Sequence, residues 1–310
     1  MATSDDEAGQ VLPNLPGLTD PAELAHFERR MAAARIWQLE VDPGLAGGDF
    51  DFAHLQRIHA YILQDVYPWA GHIRSATQDT TAMGLAHCRP QFIPNQLGVV
   101  FGAIERHRPT PADPDLATAT VAEHWGELTA VHPFRDGNSR SQRVFFNQYL
   151  ADAGWDIDWT QVNASAVHAA RHIAMATTDS TFLAAELRPG VVPFGTAPAL
   201  TLSRTEGHRD TRTAVQLFEA MKVHKRAGLP ASSFQSAPPS PRPDPPGTSS
   251  AVTSAALRAA RLAGRDHPTA AREAAARPTT DPTQQANPNR RPAHYRRDPG
   301  RDNTSEAGYD

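Results

Sequence analysis

Residues 117–131 and 139–150 both carry apolar side chains at helical spacing, and so few residues separate them that the two helices must meet at a tight corner. Gly137 breaks the helical run and allows positive φ, while Asn138 suits the N-cap of the second helix. Such a corner presents free backbone N–H groups at a helix start, where anions bind. His132 falls at the C-terminal end of the first helix. Asp136 precedes the glycine, and Arg140 and Arg143 are neighbours on one face of the second helix. Two guanidinium groups directed at one helix start suit a polyphosphate. Asp136 offers the hard oxygen that Mg²⁺ takes while keeping most of its waters and bridging phosphates. His132 is the one group there able to accept a proton near neutral pH. The spacing thus predicts a nucleotide-triphosphate site. The competing reading is a polar helix-loop-helix corner with solvated arginines and a capping histidine.

The stretch His132-Pro133-Phe134-Arg135-Asp136-Gly137-Asn138-Ser139-Arg140-Ser141-Gln142-Arg143 resembles the pattern of Fic proteins, His-Pro-Phe-x-Asp/Glu-Gly-Asn-Gly-Arg-x-x-Arg, at every fixed position except Ser139. Asp65-Val66-Tyr67-Pro68-Trp69-Ala70-Gly71 with Ile73-Arg74 is similar to the family's lead into its flap, and Arg89-Pro90-Gln91-Phe92-Ile93 to the flap's end. Ala153-Gly154-Trp155 and Ile157-Asp158-Trp159 resemble a further shared segment, so the likeness covers residues 18–189. The resemblance implies transfer of AMP from ATP to a Tyr, Thr or Ser hydroxyl of a target protein, with attack in line at the α-phosphorus and loss of pyrophosphate. His132 would be the general base and Phe134 a buried anchor of the loop. Asp136 would bind Mg²⁺, Gly137, Asn138 and Ser139 would line the phosphate nest, and Arg140 and Arg143 would hold the outer phosphates.

Ser139 replaces the family glycine inside the nest. A side chain there either crowds the phosphate or adds a hydroxyl hydrogen bond. A Doc-like kinase, in which the γ-phosphate is transferred and a Lys holds this position, is one alternative; an inactive Fic-fold nucleotide-binding module is another. Arg143 favours AMP transfer over the kinase.

Residues 75–93 lack a helical period and contain Thr77, Thr80, Thr81, Gly84 and Pro90, which reads as a β-hairpin or loop. By resemblance it is the flap on which an extended stretch of the target adds as a strand, with Ser75, Thr77, Thr80, Gly84 and Ile93 as docking residues. Helices are expected over 20–39, 52–63, 91–107, 117–131, 139–153, 160–177 and 180–187. Only the flap reads as extended. The fold class is all-α, a Fic-type helical domain with a small hairpin flap. The domain is expected over 18–194 after a disordered N-terminus, 1–17.

From Gly195 the composition turns to Pro, Ala, Ser, Thr and Arg, with 17 Arg plus Lys against 11 Asp plus Glu; this net of +6 leaves −10 on the preceding residues of a chain whose total is −4. Segments such as Ala237-Pro238-Pro239-Ser240-Pro241 bury too little apolar surface to offset chain entropy. Residues 195–310 are therefore expected to be a largely disordered, low-complexity tail with short helices at about 211–227 and 250–263. Val215, Leu217, Phe218 and Met221 fall near one side of the first. The tail's positive charge could anchor weakly on acidic surfaces, but nucleic acid is not an expected partner.

His168 and His172 share a helical face without a third ligand, and read as a solvated or partly packed pair rather than a zinc site. Cys88 is the single cysteine, so no intrachain disulfide forms. No secretory or membrane-spanning run is present, and a bacterial cytoplasmic location is expected, with delivery to another cell left open. Fic enzymes are commonly held off by a Ser/Thr-x-x-x-Glu-Gly/Asn helix whose Glu pairs with the second motif arginine. Thr3 to Glu7, Thr19 to Glu23 and Thr269 to Glu273 have the spacing but lack the following Gly or Asn. The glutamate is therefore expected from a separate small antitoxin-like protein, with the purified chain active on its own.

Overall fold

Asp20 starts the first helix, α1 (Pro21–Val41), by accepting the N–H groups of Ala22 and Glu23, and Pro21 occupies a position where no donor is missed. The same device recurs: Asp51 caps α2 (Phe52–Leu63), Asp113 caps α4 (Pro114–Val131) and Asn163 caps α6 (Ala164–Thr177). In this computed structural model, which describes residues 11–236, the order continues with α3 (Ile93–Arg106), α5 (Asn138–Asp152), α7 (Thr181–Leu187), α8 (Thr201–Arg204) and α9 (Thr211–Arg226). No described helix is long and apolar enough to cross a membrane.

Trp125 of α4 is fully buried, stacked on Phe146 of α5 with ring centroids 5.2 Å apart and meeting Trp159 edge-on. Around this centre α4 packs against α3, α5, α6 and α7, while α2 lies between α1 and α5. Burying an aromatic side chain of this size contributes on the order of 2–3 kcal/mol, so the α4–α5 pair is a rigid platform for the loop between them.

The all-α expectation holds, with the hairpin where it was placed: β1 (Thr81–Ala82) pairs antiparallel with β2 (Leu85–Ala86). Met83 and Gly84 both have positive φ, 54° and 72°, the signature of a two-residue primed turn. A second small ladder was missed. β3 (Trp155–Ile157) pairs with β4 (Val191–Pro193), each too short for alternation to show. The helix expected over 160–177 is split, because Trp159–Gln161 forms one 3₁₀ turn before Asn163 restarts the chain as α6.

Two boundaries also move. Residues 11–17 pack on the domain, with the Leu15 N–H bonded to the Val66 carbonyl at 2.8 Å. The packed unit continues past Phe194, since Leu202 of α8 and Phe218 and Met221 of α9 are buried and α9 lies along α6. The helix expected at about 211–227 is present as α9, but the low average hydrophobicity of its surroundings concealed that it docks on the domain through Ala214, Phe218 and Met221; Val215, expected on that face, is exposed. The helix expected at about 250–263 lies outside the described residues.

Candidate active site

α4 ends on His132, whose backbone turns left-handed (φ 47°, ψ 64°) while its N–H still donates to Leu128 O at 3.1 Å. A non-glycine residue in this region costs about 1–2 kcal/mol. Arg74 supplies the compensation. Its Nε donates to His132 O at 2.8 Å, its guanidinium also reaches the carbonyls of Gln78, Cys88 and Val131, and its own N–H donates to Pro133 O. One side chain thus ties both ends of the hairpin segment to the loop.

Inside the corner, Phe134 is the buried anchor that the resemblance implied, stacked on His59 at 3.8 Å. His59 fixes the next residue. Its Nδ1 accepts the Gly71 N–H, so Nε2 carries the proton and donates to Asp136 O at 2.8 Å. Burial pushes this imidazole down to about 4, which keeps it neutral. Sequence reasoning passed over His59, because a second-layer brace has no motif. Asn138 is not the N-cap expected of it: Gly137 holds that place, and the Asn138 side chain clamps the Phe134 N–H and carbonyl at 2.9 and 2.7 Å.

With Gly137 at the cap (φ 78°), α5 begins with no side-chain partner for its first N–H groups. Those of Asn138, Ser139 and Arg140 precede the first intrahelical bond, made by the Ser141 N–H to Gly137 O, so the helix itself offers them no partner, an arrangement that suits an anion. Ser139 is the second helical residue and is half-buried. Asp136 stands at the rim, its side chain 44% exposed, and both of its hydrogen bonds, from the Gly137 N–H and from Arg140, fall on Oδ1. Burial raises its carboxyl, but Arg140 and the Gly137 N–H outweigh that and hold it below the usual value. Among the described residues no three His, Cys, Asp or Glu gather as a metal site.

Both motif arginines are directed inward and engaged by carboxylates. Arg140 is paired with Glu28 of α1 and, at 3.3 Å, with Asp136; Glu28 in turn accepts the Tyr67 hydroxyl. Arg143 lies over the Trp159 ring at 4.5 Å and is held by the turn that follows α8: Nη1 donates to Glu206 at 3.3 Å, and Nη2 to Thr205 Oγ1 at 2.8 Å. The carboxylate on Arg143 therefore comes from the same chain, where a separate protein was expected to supply it. Leu202 stands four residues before Glu206, where the inhibitory-helix pattern has Ser or Thr, so the Glu206-Gly207 pair does not match that pattern. Glu40 holds α8 in place by accepting the N–H groups of Leu202 and Ser203. Arg209, three residues beyond Glu206, adds a cation that acts on both Asp136 and Arg140.

His132 sits in a cluster of basic side chains. The His87 ring stacks on it at 3.8 Å, and Arg171, His172 and Arg74 also act on it. Burial first, and then these neighbours, push its imidazole well below the usual range, so it is unprotonated at neutral pH. His168 and His172 belong to the same cluster: His172 is fully buried rather than solvated, and His168 Nδ1 meets the buried Arg171 guanidinium at 3.2 Å.

The flap residues divide. Ser75 and Thr77 are exposed with their hydroxyls 3.3 Å apart, and Gly84 is exposed at the hairpin tip. Two others do not face a partner. Thr80 is buried with its hydroxyl against His87, and Ile93, the first residue of α3, is fully buried in the core.

A match to the Fic/DOC family spans residues 49–150, from the lead into α2 to the end of the α5 core. The chain is 32% identical over 151 residues to the probable protein adenylyltransferase y4lH of Sinorhizobium fredii, covering 48% of this chain and 74% of that one. The chain belongs to the Fic/DOC family. It is also 36% identical over 165 residues to the protein adenylyltransferase VbhT of Bartonella schoenbuchensis, a span of 51% of this chain and 32% of VbhT. Among solved structures, the BepC protein of Bartonella tribocorum with bound AMPPNP shares the fold at a TM-score of 0.53 and 19% identity, over 60% of this chain and 95% of that one. The family match contains His59, the hairpin and the whole of 132–143 but ends before α6, so Arg171, Glu206 and Arg209 lie beyond it.

Proposed function

We propose that this Fic/DOC chain is a protein adenylyltransferase that moves AMP from ATP to a Tyr, Thr or Ser hydroxyl of another protein. The observation that carries this reading is the uncapped start of α5, with Asp136 and Arg140 beside it and an unprotonated His132 at the other end of the same loop. In this reading the nest and the two arginines hold the triphosphate, and His132 accepts the proton as the hydroxyl oxygen bonds to the α-phosphorus. The bond to the β-phosphate breaks and pyrophosphate leaves. Positioning and charge stabilisation supply most of the acceleration. The names of y4lH and VbhT and the AMPPNP held by BepC support the same reaction class.

Asp136 suits a single carboxylate contact to Mg²⁺, because its side chain is partly exposed at the rim and, among the described residues, no cluster of three His, Cys, Asp or Glu forms around it. The ion would draw its remaining ligands from phosphate oxygens and water, and would neutralise charge on the leaving pyrophosphate. Ser75, Thr77 and the hairpin tip would dock the target as an added strand. Glu206 on Arg143 supports a resting state in which Arg143 is not free to meet the outer phosphates, so α8 must yield before ATP is held productively. A separate antitoxin-like inhibitor would have to take the place Glu206 already fills. The chemistry suits a bacterial cytoplasm, where ATP is available.

ATP labelled at the α- or the γ-phosphate, given to the full chain in lysate, tests the reading. Protein should gain label from the α-position only, and His132→Ala should abolish it. Label from the γ-position instead would establish the kinase, and label from neither, with Glu206→Gly also silent, would leave a binding module.

A further inference from the structure

His87 has no place in the chemistry outlined above, yet its ring stacks directly on that of the base. It follows β2 and closes the root of the hairpin, its N–H donating to Thr80 O at 3.0 Å and its Nδ1 meeting Thr80 Oγ1 at 3.0 Å. The ring is buried and lies nearly parallel to the His132 ring, 15° between planes and 3.8 Å between centroids. The His172 ring stands 6.0 Å from it, tilted by 55°. A catalytic imidazole is commonly oriented through its second nitrogen by a carboxylate or carbonyl. Here His132 Nδ1 is buried with no hydrogen-bond partner, so no such bond sets the angle of the ring. The backbone does not set it either, since the left-handed turn at His132 fixes only where Cβ starts.

We propose that His87 is the positioning residue of this site: by stacking from the root of the flap it holds the His132 imidazole in the plane from which it receives the target's proton. The proposal rests on the reading of His132 as base. It makes the hairpin more than a docking edge, because the segment that would receive the target strand also ends on the ring that orients the base. Thr80 is part of the device, fixing the His87 ring through Nδ1, which accounts for a buried hydroxyl just before β1. The groups facing His132 are His87 from the hairpin, His168, Arg171 and His172 from α6, and Arg74 from the segment before the hairpin. Of these only His87 covers the ring face to face. Removing it opens His132 to water, and the imidazole then titrates closer to its ordinary range.

The test uses the full chain with three variants and two readouts, the NMR titration of the His132 imidazole and the pH profile of AMP transfer. His87→Ala should lower kcat about 10–100-fold with the KM for ATP unchanged, the scale of a misplaced general base. The same variant should bring His132 titration up into the observable range and move the acid limb of the rate profile with it. His87→Phe keeps the stack without an ionisable ring and should recover the rate to within about 3-fold, with His132 unprotonated as in the native chain. Thr80→Val, which removes only the hydroxyl, should move both readouts in the direction of the alanine variant by about 5-fold, the worth of one hydrogen bond. If His87→Ala leaves both readouts native, or if the phenylalanine variant is as impaired as alanine, the proposal is overturned. If neither the native chain nor Glu206→Gly transfers label from the α-phosphate, the base reading fails, while the NMR titration still decides whether His87 holds the ring.

Discussion

At the residue scale, Gly137 is the least replaceable position of the loop. It has φ +78°, and a Cβ there would stand 2.5 Å from Leu63 Cδ1 and 3.0 Å from His59 Nε2, the brace of the Asp136 carbonyl. Gly137→Ala therefore combines backbone strain with a clash against the core, and should cost about 2–4 kcal/mol of stability in urea unfolding along with nucleotide binding. An unfolding midpoint within error of the native chain would show that the loop relaxes around the methyl. The motif made Gly137, Asp136, Arg140 and Arg143 legible, because each residue type has few reasons to stand at that spacing. His59, His87 and Arg74 were not legible as site residues: each acts by bracing another group across the fold, a relation that sequence spacing does not encode. Asn138 was visible but misread, since a cap and a loop clamp draw on the same amide chemistry.

Among the elements, α8 is the one whose removal should be felt as gained activity. Its four residues place Thr205 and Glu206 on Arg143, and Glu40 secures it from α1. A charged hydrogen-bonded contact of this kind contributes about 1.5–3 kcal/mol, so Glu206→Gly should raise AMP transfer at low ATP by about 10–100-fold. Glu23→Gly should leave it unchanged, because Glu23 is exposed on the first turn of α1. Unchanged transfer in the first variant would mean that ATP binds without displacing the pair. Helices with a side-chain cap and a clear apolar face were read to within a few residues, α2 to the residue. Apart from the hairpin, which its turn residues announced, the elements of three or four residues were not, since β3, β4 and α8 exist only through what they pack against.

For the molecule as a whole, buried histidines set the acid limit. Burial lowers His59 to about 4 and His172 to about 3, against 6.5 when unfolded, so below 6.5 the unfolded chain binds protons that the folded chain refuses. Their contribution is complete above pH 6.5 and is lost as the pH falls towards 4, at about 1.4 kcal/mol per pH unit for each histidine. Urea midpoints should accordingly drop steeply between pH 6.5 and 4.5; a flat profile would show these rings open to solvent. Domain architecture was only half legible, because composition averaged over the Pro-rich stretch concealed that α8 and α9 complete the packed unit. Their late place in the chain has a further outcome. Glu206 follows Arg143 by 63 positions, so at ribosomal speeds of 5–20 residues per second the loop leaves synthesis roughly 3–13 s ahead of its cover. Every newborn molecule thus passes through an interval in which the arginine is made and its restraint is not.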